Sequence, residues 1–338
     1  MIEMFQAVIP PVPEGEARPL WSVMIPSYNC ARFLDYTLES VLAQNPGPEA
    51  MQVEVIDDAS NADDPEAVVE RVGAGRVGFY RQPHNVGHVR NFETCLARSR
   101  GRLIHLLHGD DAVRPGFYRT MERAFHLRPD IGAAFCRHRY IDDQGKRLAY
   151  GRIVQSHRGV VDDWLHRIAV RQHLQTCAMV VRREVYEELG GFDRRILAYG
   201  EDWEMWVRIA SRYPVWYEPE ALAEYRLHSA SLAARAYPTG QNAQDLRQAM
   251  EIIRTHVAPE HSRSLMRRAR NISAVAALRN ARKAARRGDW ATARVQVREG
   301  WRTSLAPGAM ARIAWLIVRG VFRRGARKIR GLSGAFRW

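Results

Sequence analysis

The sequence predicts an α/β protein in which helices cover a largely parallel sheet. Two observations support this fold class. Short apolar runs at 21–25, 53–56, 77–80 and 103–107 alternate with segments whose apolar residues fall on one helical face. Polar residues follow several of these runs directly, and ligands of open α/β sheets bind beyond the carboxyl ends of the strands. We therefore expect these polar residues to meet in one crevice.

Further elements follow the same logic. Segments 131–135 and 176–181 are predicted strands, and segments 87–98, 183–189 and 203–212 are predicted helices. After residue 228 the chain becomes rich in Arg and Ala, with helical segments separated by Pro238, Pro259, Gly288 and Pro307. Residues 284–298 are predicted to form a helical hairpin. We expect an N-terminal extension (1–19), an α/β domain (20–235) and a basic, mainly helical C-terminal region (236–338).

The positive charge is concentrated in that C-terminal region. The chain has 338 residues and a net charge of +14. Residues 240–338 hold 22 Lys and Arg against 5 Asp and Glu, a net charge of +17, so the preceding part carries −3. Such a region favours a polyanionic partner, which is an anionic membrane, nucleic acid or an acidic protein.

Cysteine spacing and hydropathy indicate a protein of the cytosolic side. The four cysteines show no Cys-x-x-Cys or Cys/His spacing, so we expect reduced thiols rather than zinc or disulfides. Glu3 and several prolines near the N-terminus are atypical of a signal peptide. The longest apolar run, 313–318, has six residues, and a membrane span needs ~20.

Asp110 and Asp111 directly follow the apolar run at 103–107. Two carboxylates at the end of a buried strand suit Mn²⁺ or Mg²⁺, which take oxygen ligands and fill their remaining positions from water and phosphates. A nucleotide diphosphate is the expected partner of such a metal. The alternative is a solvated turn, because Gly109 and the following Arg-Pro-Gly are ordinary turn residues.

Seven motifs occur in one order along the chain. They are Val23–Asn29 (VMIPSYN), Ile56–Ser60 (IDDAS), Asn85-Val86-Gly87 with Arg90-Asn91, Gly109-Asp110-Asp111, Gly190–Asp193 (GGFD), Glu201-Asp202 and Tyr225–His228 (YRLH). In this order the chain resembles the inverting nucleotide-sugar glycosyltransferases of family two, over roughly residues 20–232. The resemblance implies a GT-A fold, which is a Rossmann-like nucleotide-diphospho-sugar transferase domain, followed by the basic helical extension.

The resemblance assigns donor-binding roles to residues at the strand ends. Tyr28 would stack on the nucleobase and Asp58 would accept a hydrogen bond from it. Alternatively, Tyr28 is an aromatic residue at the edge of the core and Asp58 belongs to a helix N-cap region.

Other positions of the same motifs complete the donor-binding set: Pro26, Asn29, Asn85, Arg90, Asn91 and Asp110. Arg90 and Asn91, on a helix begun by Gly87, would meet phosphate or ribose. The alternatives are a solvent-facing Arg90 and a turn role for Asn85.

The metal would be held by Asp111, while Asp110 would meet ribose or the sugar. This sequence departs from the commoner pattern, because His108 stands where an Asp is usual. His108 can hydrogen-bond but adds no negative charge, so we expect a modest metal affinity. His228 resembles a C-terminal His that some GT-A enzymes use as a further metal ligand, and the alternative is a structural His.

Glu201 and Asp202 form the second chemical centre. Inverting transfer needs a base that takes the proton of the acceptor hydroxyl. Asp202 is the candidate base, with an ordinary carboxyl pKa of ~3.9, and Glu201 would position acceptor or base. Alternatively, both acids only favour the helix dipole, which contributes ~0.3–1 kcal/mol. No Gln-x-x-Arg-Trp motif follows, which favours transfer of one sugar per encounter.

Segment 309–330 carries an arginine face opposite an aromatic and aliphatic face, as in helices that lie in a membrane interface. Docking on the protein's own core is the alternative. The sequence thus predicts a metal-dependent inverting glycosyltransferase at the cytoplasmic membrane face. It would take a nucleotide-diphosphate sugar donor and a lipid-linked or other envelope-glycan acceptor, and no specific nucleic acid.

Two other functions remain open at this point. A nucleotidyltransferase shares the sheet and the paired carboxylates, but it normally has a Gly-rich, Lys/Arg-bearing loop after the first strand. A nucleic-acid-binding protein would fit the pI of about 10.1, yet its basic residues would extend over the α/β domain.

Overall fold

The structure is a computed structural model that describes residues 5–16 and 18–305. The chain divides into two compact units. The first comprises residues up to Leu197 together with Glu201–Ser229, and the second comprises Ala198–Gly200 and the residues from Ala230 onward. The segment 309–330, which the sequence predicts to be an amphipathic helix, lies outside the described residues.

The first unit is built on one sheet of ten strands in the order β3-β2-β1-β4-β9-β6-β10-β5, with β7 on β6 and β8 on β10. The strands are β1 Trp21–Ser27, β2 Met51–Asp57, β3 Gly78–Arg81, β4 Leu103–Leu106, β5 Ala112–Val113, β6 Ala133–Ile141, β7 Arg147–Tyr150, β8 Gly159–Val160, β9 Met179–Arg182 and β10 Val215–Arg226.

The prediction of a largely parallel sheet is confirmed for β3, β2, β1 and β4, which all run parallel. In the rest of the sheet β10 also runs parallel to β6, but the prediction is wrong for the other pairs. β9 is antiparallel to both β4 and β6, and β5 is antiparallel to β10. The apolar run of a strand buried on both faces is the same for either direction, so the residue pattern could not decide it.

Seven helices accompany this sheet: α1 Ala31–Leu42, α2 Pro65–Gly73, α3 His88–Arg98, α4 Phe117–Leu127, α5 Trp164–Val170, α6 Arg183–Leu189 and α7 Glu201–Ala210. The predicted helix 183–189 is confirmed as α6. The predicted strand 176–181 is wrong at its start, because Thr176–Ala178 form a 3₁₀ turn before β9. Ala178 N donates to Gln175 O (2.9 Å), and this bond closes the turn.

The core of the first unit lies between the sheet and its helices. Every residue of β1 is buried, and Leu34, Leu38 and Val41 of α1 are fully buried against the sheet. The four cysteines are free and buried, as the sequence predicts. A sheet covered in this way leaves the strand ends and their loops as the places where polar side chains can meet a ligand.

The part of the second unit that the structure describes, up to residue 305, contains four helices: α8 Leu232–Thr239, α9 Gln241–Ile253, α10 Pro259–Arg286 and α11 Trp290–Thr303. The predicted hairpin at 284–298 is confirmed by α10 and α11. Gly288 adopts φ +84° between the two helices, a conformation that glycine tolerates. Asp289 then caps α11 by accepting from Thr292 N (3.0 Å). Among residues 5–16 and 18–305, no helix is long and apolar enough to cross a membrane.

Candidate functional site

The loops after β1 and β2 are joined by hydrogen bonds. Asn29 Oδ1 accepts from Asn61 N and Ala62 N, each at 3.0 Å. Asn29 N in turn donates to Ser60 Oγ (2.9 Å). Asn29 has a φ of +50° and Ala59 a φ of +57°, both uncommon for L-residues. These bonds fix the positions of the residues that follow β1, Tyr28 among them.

Asp58 is buried at the end of β2 and holds the chain segment that enters α3. One oxygen accepts from Val86 N (2.7 Å) and the other from Gly87 N (3.0 Å). Burial raises the pKa of Asp58, and these two bonds oppose that rise. Asn85 Nδ2 donates to the Asp58 main-chain oxygen (3.1 Å). Both oxygens thus have main-chain donors, and their contact with a nucleobase stays a prediction.

The other donor-binding candidates differ in exposure. Pro26 is buried within β1, Tyr28 is half-buried just after it, and Arg90 is exposed on α3. Asn91 is buried, and its amide joins α3 to β2 by donating to Ile56 O (2.8 Å). The structure therefore gives Asn91 a packing role, and its donor contact also stays a prediction.

Asp110 and Asp111 lie beside His108 after β4. One ligand atom from each of the three residues falls within 4.8 Å of the others. His108 Nδ1 is 3.7 Å from Asp111 Oδ2. Asp111 Oδ1 accepts from Arg226 N (2.9 Å), whereas the buried Asp111 Oδ2 has no hydrogen-bond partner in the described part of the chain. We call these three residues the metal group.

The metal group fits a divalent cation. A buried carboxylate oxygen without a donor is costly, and a bound cation would offset that cost. Burial and the neighbouring Asp110 raise the pKa of Asp111 well above its usual range. Burial lowers the pKa of His108 and so keeps the neutral imidazole that ligates metals. Oxygen ligands with one nitrogen suit Mn²⁺ better than Mg²⁺, which prefers oxygen alone.

His228 contacts Asp110, since its Nε2 is 2.9 Å from Asp110 Oδ2. Burial would raise the pKa of Asp110, but this bond and the charges of the two neighbouring histidines lower it. The His228 ring also lies 4.8 Å from the ring of Phe33. The structure thus shows His228 positioning Asp110, and its role as a metal ligand stays a prediction.

Asp202 opens α7 and is held by three donors. Gln172 Nε2 (2.5 Å) and Thr176 Oγ1 (3.2 Å) donate to its Oδ2, and Trp203 N (2.7 Å) donates to its Oδ1. Burial, and then the charge of Glu201, raise the pKa of Asp202 to about 7. The expectation of an ordinary carboxyl pKa is therefore wrong, because two adjacent acids share one buried position.

Glu201 lies between Asp202 and the metal group. Its Oε1 is 3.4 Å from His88 Nε2, and its buried Oε2 has no hydrogen-bond partner among the described residues. Burial would raise the pKa of Glu201, but His88, a main-chain hydrogen bond and His108 together lower it. His108 interacts electrostatically with both Asp110 and Glu201. The Phe92 ring stacks on His108 at 5.3 Å and meets the His88 ring edge-on.

The 3₁₀ turn before β9 also connects the two centres. Thr176 donates to Asp202, and the neighbouring Cys177, whose thiol donates to Glu224 O (3.8 Å), lies beside Asp111. Four residues of this site were not predicted from the sequence: His88, Gln172, Thr176, and His108 as a member of the metal group. A signal existed for His108, whose position before the Asp pair is normally acidic. The sequence held no such signal for the other three residues.

Three comparisons place this geometry among known proteins. The sequence description of Glycosyl transferase family 2 matches residues 22–190. A Mycobacterium tuberculosis protein described as uncharacterized is 31% identical over 68% of this chain and 74% of its own length. An uncharacterized glycosyltransferase of Rickettsia typhi is 22% identical over 63% of this chain and 65% of its own length.

Solved structures show the same fold. A mannosyltransferase of Pyrobaculum calidifontis, in complex with GDP-Man and Mn²⁺, has a TM-score of 0.57 at 18% identity, over 96% of this chain and 86% of that one. TarS of S. aureus has a TM-score of 0.58 at 14% identity. That match covers 74% of this chain but only 43% of the TarS chain. At these identities the likeness concerns the fold alone.

The metal group predicts the outcome of two substitutions. Asp111→Asn should abolish Mn²⁺ binding in isothermal calorimetry, because it removes the charge of the metal-group carboxylate whose buried Oδ2 has no hydrogen-bond partner in the described part of the chain. His108→Gln should weaken Mn²⁺ binding by about 10-fold or more, since one ligand is lost. His126→Gln, on the exposed face of α4, is the matched control. Binding as tight in Asp111→Asn as in the parent would contradict the assignment.

Proposed function

Because this chain belongs to glycosyl transferase family 2 and is a glycosyltransferase, we propose that it is a metal-dependent, inverting enzyme. It moves one sugar from a nucleotide-diphosphate sugar to a lipid-linked or other envelope-glycan acceptor. The observation that carries the proposal is the joining of the metal group to Glu201 and Asp202 through His108 and the 3₁₀ turn. Family membership decides against a nucleotidyltransferase and against a non-enzymatic nucleic-acid-binding protein.

The donor would bind beyond the ends of β1, β2 and β4. Related folds have been solved with UDP-GlcNAc and with GDP-Man, which supports a nucleotide sugar here. Tyr28 would stack on the base, and Asp58 would accept from it. The remaining predicted donor contacts come from Pro26, Asn29, Asn85, Arg90, Asn91 and Asp110.

Asp202 would act as the base. As the acceptor oxygen bonds to the anomeric carbon, its proton passes to an Asp202 oxygen, and the bond from that carbon to the nucleotide diphosphate breaks on the opposite face. The configuration therefore inverts. Gln172 and Thr176 hold Asp202 in one orientation, so proton transfer needs little reorganisation. Glu201 Oε2, which is buried and lacks a partner in the described chain, would accept from a sugar hydroxyl.

A divalent cation would be held by Asp111 and His108, with Asp110 and His228 beside them. Such an ion neutralises the negative charge that grows on a leaving diphosphate. The chain's own contribution is to hold these ligands rigidly. Thr37 Oγ1 donates to the main-chain oxygens of Asp111 (2.7 Å) and Gly109 (3.1 Å), and Arg226 N holds Asp111 from the other side.

The enzyme would work at the cytoplasmic face of an anionic membrane. Arg279, Arg282, Lys283 and Arg286 are exposed on α10, at the spacing i, i+3, i+4, i+7 that places them on one helix face. The opposite face of the same turns is buried and formed by Ala277, Leu278, Ala281 and Ala284. We call the four cations the basic stripe. Each cation near an anionic surface contributes ~1 kcal/mol.

A thermal-shift screen tests the proposed activity. Nucleotide diphosphates and their sugars are added with Mn²⁺, and a ligand at 100 times its Kd stabilises the fold by ~2.7 kcal/mol. We expect the diphosphate and the sugars of one nucleotide to raise the melting temperature of the parent in the presence of Mn²⁺. The same compounds should not raise the melting temperature of Asp111→Asn. No shift with any nucleotide sugar would argue against the proposal.

Asp202→Asn should lower turnover by ~10²-fold or more while donor affinity stays nearly unchanged. The asparagine keeps the shape but cannot take the proton. Steady-state kinetics and calorimetry with the donor measure the two quantities, and NMR of the product gives its anomeric configuration. Near-parental turnover, or a product with retained configuration, would contradict the role of Asp202.

The raised pKa of Asp202 predicts a pH profile. A base must be deprotonated, so turnover should rise with pH through a value near 7. Glu201→Gln removes the negative charge that helps to raise this pKa. The rise of turnover with pH, which we call the acid limb, should therefore move to lower pH. This shift is independent of any change in the maximal rate. Asp162→Asn, an exposed carboxylate of the same unit, should leave the limb in place. An unmoved limb in Glu201→Gln would disprove the coupling.

Replacement of all four cations of the basic stripe by Gln should weaken binding to anionic vesicles, and the binding should fall with salt as screening increases. The control variant has the same change in charge but in the first unit. It replaces four exposed arginines by Gln: Arg100, Arg119, Arg123 and Arg212. Deletion of residues 308–338 tests the segment outside the described residues. Salt-resistant, sequence-selective nucleic-acid binding without vesicle binding would overturn the membrane proposal.

A further inference from the structure

The segment from Arg167 to Thr176 runs along the proposed base. α5 packs on α7, since Trp203 Nε1 donates to Ile168 O (2.6 Å). Gln172 and Thr176 then donate to Asp202. Whatever lies on this segment therefore lies next to the position where an acceptor hydroxyl must give up its proton.

Four arginines lie on this segment or at the loop after β7 that contacts it: Arg167 of α5, Arg171 directly before Gln172, Arg152 of the loop, and Arg137 of β6, which bonds to the loop. We call them the arginine cluster. Arg137 Nε donates to Gly151 O (2.8 Å) and Arg167 Nη2 to Val154 O (2.5 Å). These main-chain bonds aim both guanidinium groups without neutralising them.

The charges of three of these arginines are not matched by nearby acids. In the described part of the chain, Arg137, Arg152 and Arg167 have no carboxylate within ion-pair distance. The carboxylates of the same region already have cationic or imidazole neighbours. Glu218 is 3.5 Å from Arg158, and Asp163 is 2.5 Å from His166.

The pKa of His173 reflects the positive charge of these arginines. Burial, followed by the charges of Arg171, Arg167 and Arg152, lowers the pKa of His173 to about 4. Three guanidinium groups therefore act on one ring, which is adjacent in sequence to Gln172. His173 itself is neutral at physiological pH, so the positive charge belongs to the arginines.

We propose that the arginine cluster binds a phosphate group of the acceptor and so places the acceptor hydroxyl beside Asp202. This inference rests on the proposed function and names the acceptor class, a phosphorylated glycan or lipid. Arg binds phosphate through two parallel N–H···O bonds, which fix both position and orientation. A neutral sugar would gain little from these cations, whereas a phosphate would be attracted to them and would reduce their mutual repulsion.

Calorimetry with inorganic pyrophosphate tests the cluster without knowledge of the acceptor. EDTA is present, so that no divalent ion can recruit pyrophosphate to the metal group. Binding should weaken about 10-fold or more in Arg167→Gln and in Arg152→Gln, because each loses a charged hydrogen bond. Arg123→Gln, an exposed arginine of α4, is the matched control and should bind like the parent.

Arg152→Gln and one further variant, Arg167→Lys, guard against a loss of binding that comes from misfolding. Arg152 is exposed and makes no hydrogen bond or ion pair in the described chain, so Arg152→Gln should fold normally. Arg167→Lys keeps the positive charge but loses the two parallel N–H donors of the guanidinium group. It should bind pyrophosphate more tightly than Arg167→Gln. Equal pyrophosphate affinity in the parent, Arg152→Gln and Arg167→Gln would overturn the proposal.

The source of the phosphate is tested with farnesyl diphosphate. Affinity greater than that of pyrophosphate, and equally sensitive to Arg167→Gln, supports a lipid-linked acceptor, whereas equal affinities support a soluble phosphorylated one. Nucleotide-sugar binding with Mn²⁺ is measured on the same variants and should not change. If the parent binds no nucleotide sugar with Mn²⁺, the proposed function is contradicted. If the parent binds the donor but the arginine variants keep the parental affinity for pyrophosphate, only the inference is contradicted.

Discussion

Three acidic residues, Asp111, Glu201 and Asp202, are buried in one region of the first unit beside the half-buried Asp110, and the cost of burying these carboxylates shapes the contacts around them. Each acid is offset differently. Asp110 has His228, Glu201 has His88, Asp202 has three donors, and Asp111 has the main-chain N–H of Arg226. Among the described residues, Asp111 Oδ2 and Glu201 Oε2 are the buried oxygens of these acids that have no hydrogen bond. These two oxygens are the ones a ligand can stabilise.

The histidines His88 and His108 make the two acid pairs into one site. Phe92 of α3 contacts both rings, so a single helix sets the distance between the metal group and the proposed base. Because His108 feels Asp110 and Glu201 together, a cation bound at the metal group would also act on Glu201. Donor binding and acceptor activation would thus be coupled through packing and charge rather than through a moving segment.

Each unit carries a group of cationic side chains, and the two groups suit different anionic partners. The first unit concentrates its arginine cluster at the side of the site where Gln172 and Thr176 hold Asp202, while the second unit carries the basic stripe on α10. Both features favour anions, but they differ in kind. The arginine cluster is aimed by main-chain bonds and suits one bound phosphate, whereas the basic stripe is exposed and suits an extended anionic surface.

The sequence by itself determined the elements and the chemistry-bearing residues. Apolar periodicity located the first four parallel strands, helix α6 and the α10–α11 hairpin, and the ordered motifs singled out Asp110, Asp111, Glu201 and Asp202, because these patterns are local. Tertiary structure decided what depends on contact between distant segments. The direction of β9, the bonds from Gln172 and Thr176 and the contact between His88 and Glu201 all join residues far apart in sequence. The raised pKa of Asp202 likewise follows from burial, which no local pattern encodes.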